Sequence, residues 1–222
     1  MKSRLLVLTS SFALLSLTSV GQIDDGKLWT SITVKHKLSR KATVALTEEL
    51  RLNHDITQVD QIFSNVGVEY ELIKNLKVAF NYRFINNNKF SYYEKDHRLY
   101  LDASYKYKVK KFSFALRERL EDQYSAIYSS ETGGVPTWYL RSKFTIEYYL
   151  QSKYKPYAAV ESFYLIDHPK EKSEQIDRLR YLIGIEYEFN RKNSVNLFTI
   201  LQEQVSPQFQ SVIVGFGYTF VY

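Results

Sequence analysis

From residue 28 to the last residue, apolar and polar side chains alternate with a period of two. Between Arg178 and Phe189, Leu179, Tyr181, Ile183, Ile185, Tyr187 and Phe189 share one parity, while Arg178, Arg180, Leu182, Gly184, Glu186 and Glu188 share the other. Successive side chains of a strand point to opposite faces, so the pattern reads as strand with one apolar and one largely charged face. At 98–109, Leu99, Leu101, Ala103, Tyr105, Tyr107 and Val109 likewise oppose Arg98, Tyr100, Asp102, Ser104, Lys106 and Lys108. Eleven stretches carry the pattern, near 28–38, 42–53, 62–72, 76–86, 96–108, 111–122, 137–150, 155–166, 176–189, 194–203 and 211–222. Most are far longer than the roughly 5–6 residues of a globular strand. They match the roughly 9–11 residues that a tilted strand needs to cross a bilayer.

The connections alternate as well. Short ones at 39–40, 73–75, 110, 152–154 and 191–192 interleave with longer polar ones at 54–61, 87–95, 123–136, 167–175 and 203–210. Short turns at one rim and long loops at the other belong to transmembrane barrels. A sheet edge in hydrocarbon leaves N–H and C=O groups unpaired, and only closure removes that cost. The predicted fold is therefore an all-β, antiparallel transmembrane β-barrel of about 10–12 strands, with short periplasmic turns and longer extracellular loops. If both chain ends lie in the periplasm, the strand count must be even. Either 28–38 stands outside the wall, giving ten strands, or a twelfth strand is still to be found.

The first residues read as a targeting segment. Lys2 and Arg4 precede an apolar run from Leu5 to Leu17, and Ser19-Val20-Gly21 offers small residues for cleavage. This is the signal-peptide pattern. It divides the chain into a removed segment, 1–21, and a barrel domain, 22–222. The last strand alternates to the final residue, with Val212, Val214, Phe216, Tyr218, Phe220 and Tyr222 on one face. Phe216, Tyr218, Phe220 and Tyr222 form a C-terminal aromatic signature similar to the signal read by the barrel assembly machinery. Export and that signature place the protein in the outer membrane of a Gram-negative cell, among its lipids.

Composition agrees. There are 19 Tyr, 14 Phe and 2 Trp in 222 residues, and aromatics make up 16% of the chain. Such aromatic content excludes a disordered chain, and the absence of Cys excludes a disulfide scaffold and a lipoprotein anchor. Without Lys2 and Arg4 the net charge falls from +6 to +4, and the signs alternate along the chain, so no nucleic-acid-binding stripe is present.

Several local patterns carry a family resemblance. They are Trp29, Glu48-Glu49-Leu50-Arg51, Tyr82-Arg83-Phe84, Arg98, Arg117-Glu118-Arg119 and Tyr139-Leu140-Arg141-Ser142-Lys143. Pro156-Tyr157, Glu161, Arg178-Leu179-Arg180 and Gly184 complete them. Together they resemble the outer-membrane barrels of Bacteroidota grouped as domain-of-unknown-function family 2490, across essentially all of 22–222. The resemblance implies a barrel and no assigned activity.

By parity, the predicted lumen holds Arg83, Arg98, Arg117, Arg119, Arg141, Glu147, Glu161, Arg180 and Glu186, together with Glu49, Arg51, Glu69, Glu71, Lys77, Asp102, Lys106, Glu121, Lys143 and Glu188. Their signs are nearly balanced, so cross-strand ion pairs filling the interior are the first expectation. The favoured reading is a structural or weakly permeable barrel. The alternative is a narrow anion-selective channel or solute-binding barrel, with the arginines gripping a small anionic solute through their forked donors. A third reading is a lipid-modifying enzyme of the outer wall. No catalytic motif supports it: His36, His54, His97 and His168 are scattered, no metal-ligand spacing occurs, and no cofactor is implied. His97 beside Asp96 is the one position to test. Glu118 falls on the nominal lipid face and predicts either an interfacial position or a bulge.

Overall fold

The computed structural model describes residues 23–126, 128, 134–150, 153–166, 175–205 and 207–222. The predicted signal segment and His168 lie outside the described residues. Among the described residues eleven strands follow one another: β1 (Asp25–Lys37), β2 (Ala42–Asn53), β3 (Gln58–Ile73), β4 (Leu76–Asn88), β5 (Tyr93–Val109), β6 (Phe112–Ser125), β7 (Thr137–Tyr148), β8 (Tyr154–Leu165), β9 (Ile176–Glu188), β10 (Asn193–Gln204) and β11 (Phe209–Val221). Each pairs antiparallel with its sequence neighbour, and the sheet closes on itself.

The closing pair is parallel. β1 runs beside β11 from Asp25↔Ser211 to Lys35↔Val221 and beside β2 from Leu28↔Leu52 to Lys37↔Thr43. This corrects the requirement for an even count. The stretch 28–38 is a full wall strand, and no twelfth strand occurs among the described residues. With an odd number of strands, ten antiparallel steps separate the first from the last, an even number that leaves both pointing the same way, so a parallel ladder closes the wall. As a consequence Asp25 and Val221 stand at opposite rims. The rim that holds Lys37 and Val221 also holds the short connections after β1, β3, β5, β7 and β9, with 38–41, 74–75, 110–111, 149–150, 153 and 189–192 described. The other rim holds Asp25 and the longer loops.

Alternation decides the two faces. Ile32, Val34, Leu46, Val66, Phe80, Leu101, Leu116, Phe144, Ile183, Leu197, Val214 and Phe216 are exposed on the outer wall. So large an apolar belt on a closed sheet is a lipid-facing surface. Rings stack near the short-turn rim, where Phe112 meets Tyr148 at 5.0 Å and Tyr154 meets Tyr187 at 4.7 Å between centroids. Near the other rim, His97 stacks on Tyr124 at 5.3 Å. Such amphipathic rings suit the two membrane interfaces.

The inside is divided. Trp29, Ala159, Leu182, Ile200 and Ile213 form an apolar cluster on the β1 and β8–β11 side, with Tyr157 and Phe198 packed against it. Two glycines admit those rings. At Gly184 a Cβ would come within 2.6 Å of the Tyr157 ring, and at Gly215 it would collide with Phe198. Toward the long-loop rim, Phe63, Ile85 and Leu165 are almost completely buried. Toward the short-turn rim the lumen opens, and the side chains of Lys77 and Lys106 are 48% and 47% exposed.

Candidate functional site

Inward-facing residues of eight strands, β1, β2, β4–β9, meet those of β3 and β10 around one cavity of about 610 Å³. It extends from Ser125 and Thr137 at the long-loop rim to Lys143 and Asn196 deeper in the barrel. Nine cations line it: Arg51, Arg83, Arg98, Arg117 and Arg119 from β2 and β4–β6, then Arg141, Lys143, Arg178 and Arg180 from β7 and β9. Three carboxylates line it with them, Glu49, Glu121 and Glu161. Just outside the lining, Asp102 and Asp177 offset Arg119 and Arg178. A positive excess remains after both are counted.

Two buried glutamates hold the network. Glu161 on β8 accepts from Arg117 at 2.5 Å and from Arg141 at 2.8 Å, with Arg180 at 3.7 Å. Glu121 on β6 accepts from Arg141 at 2.7 Å and lies 3.5 Å from Arg98. Arg141 therefore ties β6 to β8 across its own strand. Asp102 grips Arg119 with both oxygens, at 2.6 and 2.8 Å. Burial makes these bonds matter: Glu121 and Glu161 are 2% and 3% exposed, and an uncompensated charge there would be very costly.

Aromatic rings hold several of the same cations without neutralising them. Arg83 lies 3.8 Å over Phe63, Arg119 3.8 Å over Tyr100, Arg141 4.1 Å over Phe163 and Arg51 3.8 Å over Trp29. Stacking uses the guanidinium face and leaves its in-plane donors for an acceptor. Among the described residues, Arg83 donates to the Asn65 side-chain oxygen, at 3.4 Å, and that oxygen also accepts from the Tyr100 hydroxyl at 2.6 Å. Among the described residues neither Arg83 nor Lys143 has a carboxylate within ion-pair distance. Outside the strands, in the loop after β4, Lys89 is held above its ordinary pKa chiefly by its bond to Glu94, 3.0 Å away.

The predicted lumen charges fall on the inward parity of their strands, and register separates them. Arg83, Arg98, Arg117, Arg119, Arg141, Glu161 and Arg180 come together at the cavity. Glu147 and Glu186 do not line it. Both sit nearer the short-turn rim, where Glu147 binds Lys106 at 2.6 Å. The expected balance of charge therefore fails at the cavity, because part of the acidic share lies below it. Trp29, Phe63, Tyr100 and Phe163 were missed as site residues, although they share parity with the charges. Their signal was a large ring interrupting a charged face.

The outer-wall positions also resolve. Asp96 points inward and is 3% exposed, bonded to Gln123 and Ser125, while His97 faces outward and bonds the Tyr82 hydroxyl at 2.7 Å. Neighbours on a strand face opposite sides, so the two form no dyad. Glu118 remains on the outer face without a bulge, and its carboxylate accepts from the Ser142 hydroxyl at 2.6 Å. Among the described residues no cluster of His, Asp and Glu could hold a metal ion.

A closed wall of bilayer-length strands, apolar outside and charged inside, defines the chain as a β-barrel of the outer-membrane kind. It belongs to the family described as "Protein of unknown function (DUF2490)", whose model matches residues 26–211. Among solved structures it is similar to the NanC porin, with a TM-score of 0.53, 11% identity, and coverage of 85% of this chain and 89% of that one. It is similar also to a bacterial polysaccharide outer membrane secretin, with a TM-score of 0.51 and 9% identity, over 80% of this chain; the match spans 63% of the secretin. The translocator domain of the autotransporter NalP from Neisseria meningitidis matches with a TM-score of 0.44 and 13% identity, over 79% and 72% of the two chains. At these identities the likeness concerns the fold alone. No curated protein matches the sequence.

Proposed function

We propose that the chain is an outer-membrane barrel whose narrow lumen takes small anionic solutes, carboxylates or phosphates. The carrying observation is the cavity itself: nine cations against three carboxylates around about 610 Å³, a volume within the range of small-molecule sites. Ring-stacked Arg83 and carboxylate-free Lys143 are the groups best placed to grip the solute. Residues 1–21 act as a cleaved export signal, and the short turns face the periplasm. Phe216, Tyr218, Phe220 and Tyr222 present the outward aromatic face that the assembly machinery reads. Calorimetric titration of the purified protein with phosphate and with citrate tests the reading. Saturable binding, weakened at least about tenfold by Arg83→Ala with Lys143→Ala, is expected, corresponding to about 1.4 kcal/mol. Equal heats for wild type and variant would contradict it.

The packing of Phe63, Ile85 and Leu165 toward the long-loop rim favours a second reading, a structural barrel with little permeability. A lipid-modifying activity has less support, since His97 has no acidic partner from Asp96. Unchanged membrane lipids in a strain carrying His97→Ala are expected.

A further inference from the structure

The two rims differ sharply in charge. The first short turn carries Arg40 and Lys41, the second Lys74, and the third Lys110 and Lys111. The fourth carries Lys153 and the fifth Arg191 and Lys192, and none of the five turns contains Asp or Glu. All eight cations are exposed. Among the described residues, none of the eight forms an ion pair with a carboxylate. Of the acidic residues nearest this rim, Glu69, Glu147 and Glu188 are bound in the lumen to Lys77, Lys106 and Lys155, while Glu71 shares the inward parity of Glu69 and its backbone N–H bonds the Lys41 carbonyl. The connections of the opposite rim, by contrast, hold five carboxylates and three lysines.

Depth gives the collar its meaning. Immediately beside the turns lies the aromatic ring of Phe112, Tyr148, Tyr154, Tyr187 and Phe189, the level at which amphipathic rings meet the headgroups. The turns therefore stand in the headgroup layer. The third turn is the most built part: Lys110 and Lys111 border an outward hollow of about 350 Å³ floored by Val109, Phe112, Phe114 and Tyr148. Cations above an apolar floor match the two halves of a phospholipid, phosphate above acyl chain. Lys110 also holds a φ of 52°, a conformation that favours glycine or asparagine in a two-residue hairpin, so its charge occupies a position the backbone alone would give to another residue.

We infer that the short-turn rim is a docking collar for anionic phospholipid headgroups of the leaflet it faces. Five turns spaced around the wall grip a ring of such lipids and fix the depth and tilt of the barrel. The inference rests on the membrane placement and is independent of what enters the lumen.

The full chain reconstituted into nanodiscs of mixed phosphatidylglycerol and phosphatidylcholine tests it, with retained lipids counted by native mass spectrometry. Retention of phosphatidylglycerol over phosphatidylcholine by at least about fivefold is expected from cation attraction at a membrane surface. Changing all eight cations to Gln brings the ratio close to that of the bulk mixture, and Lys110→Gln with Lys111→Gln lowers it in part. Lys89→Gln, at the other rim, leaves it unchanged. Circular dichroism of each variant confirms that the wall has formed. Equal retention of the two lipids by the wild type, or an unchanged ratio in the eightfold variant, would overturn the collar. So would capture of an acidic polymer in place of phosphatidylglycerol. Failure to insert into any bilayer would instead overturn the membrane placement.

Discussion

Glu161 shows what a single side chain can hold in this molecule. It is 3% exposed and lies within 4 Å of Arg117, Arg141 and Arg180. Glu161→Gln keeps the shape and removes the charge that compensates three guanidiniums. Removing one partner of a buried charge set costs about 3–5 kcal/mol. The midpoint of urea unfolding in lipid vesicles should fall accordingly, whereas Glu186→Gln, outside the cavity, should leave it nearly unchanged. At this scale the sequence was legible in parity and silent on height. Glu147 lies two inward positions beyond Lys143, and Glu186 three beyond Arg180. Nothing in the alternation says which charges end at one level, because that depends on the register of every neighbouring strand.

Among the elements, β1 departs most from expectation. Its alternation was plain, with Leu28, Ile32 and Val34 on one face, yet its place in the wall was hidden by the even-count requirement. A strand's pairing direction leaves no mark in its own sequence, since both ladder types use the same extended backbone. Direct evidence is within reach because the chain has no Cys. Ser31 pairs with Gly217 across the seam, and a Cβ at 217 would lie 3.1 Å from the Ser31 hydroxyl oxygen. A disulfide joins Cβ atoms about 3.5–4.5 Å apart. Ser31→Cys with Gly217→Cys should therefore crosslink nearly completely on oxidation, seen as a mobility shift of the heat-denatured protein. Ser31→Cys with Thr219→Cys, one inward position further along β11, should crosslink far less. Equal crosslinking in the two pairs would contradict the parallel seam.

For the whole molecule, the same alternation that identified the barrel also concealed its asymmetries. Averaged over the chain, lumen charges nearly cancel; resolved by position, a cation-rich cavity lies above a paired and open vestibule. Averaged over the connections, length alone separates the rims; resolved by charge, one rim is wholly basic. The apolar half of the lumen was equally hidden, since Leu182, Ile200 and Ile213 read by composition as ordinary strand residues. What joins these features is an axial field, positive at the cavity, that would favour anions over cations of similar size.

The reversal potential of the reconstituted protein in a planar bilayer, under a gradient of potassium chloride, measures that field most directly. The account predicts a potential of the sign that marks chloride as the more permeant ion, shifted toward zero by Arg83→Ala with Lys143→Ala. A potential marking potassium as the more permeant ion, or one unmoved by the two substitutions, would contradict it.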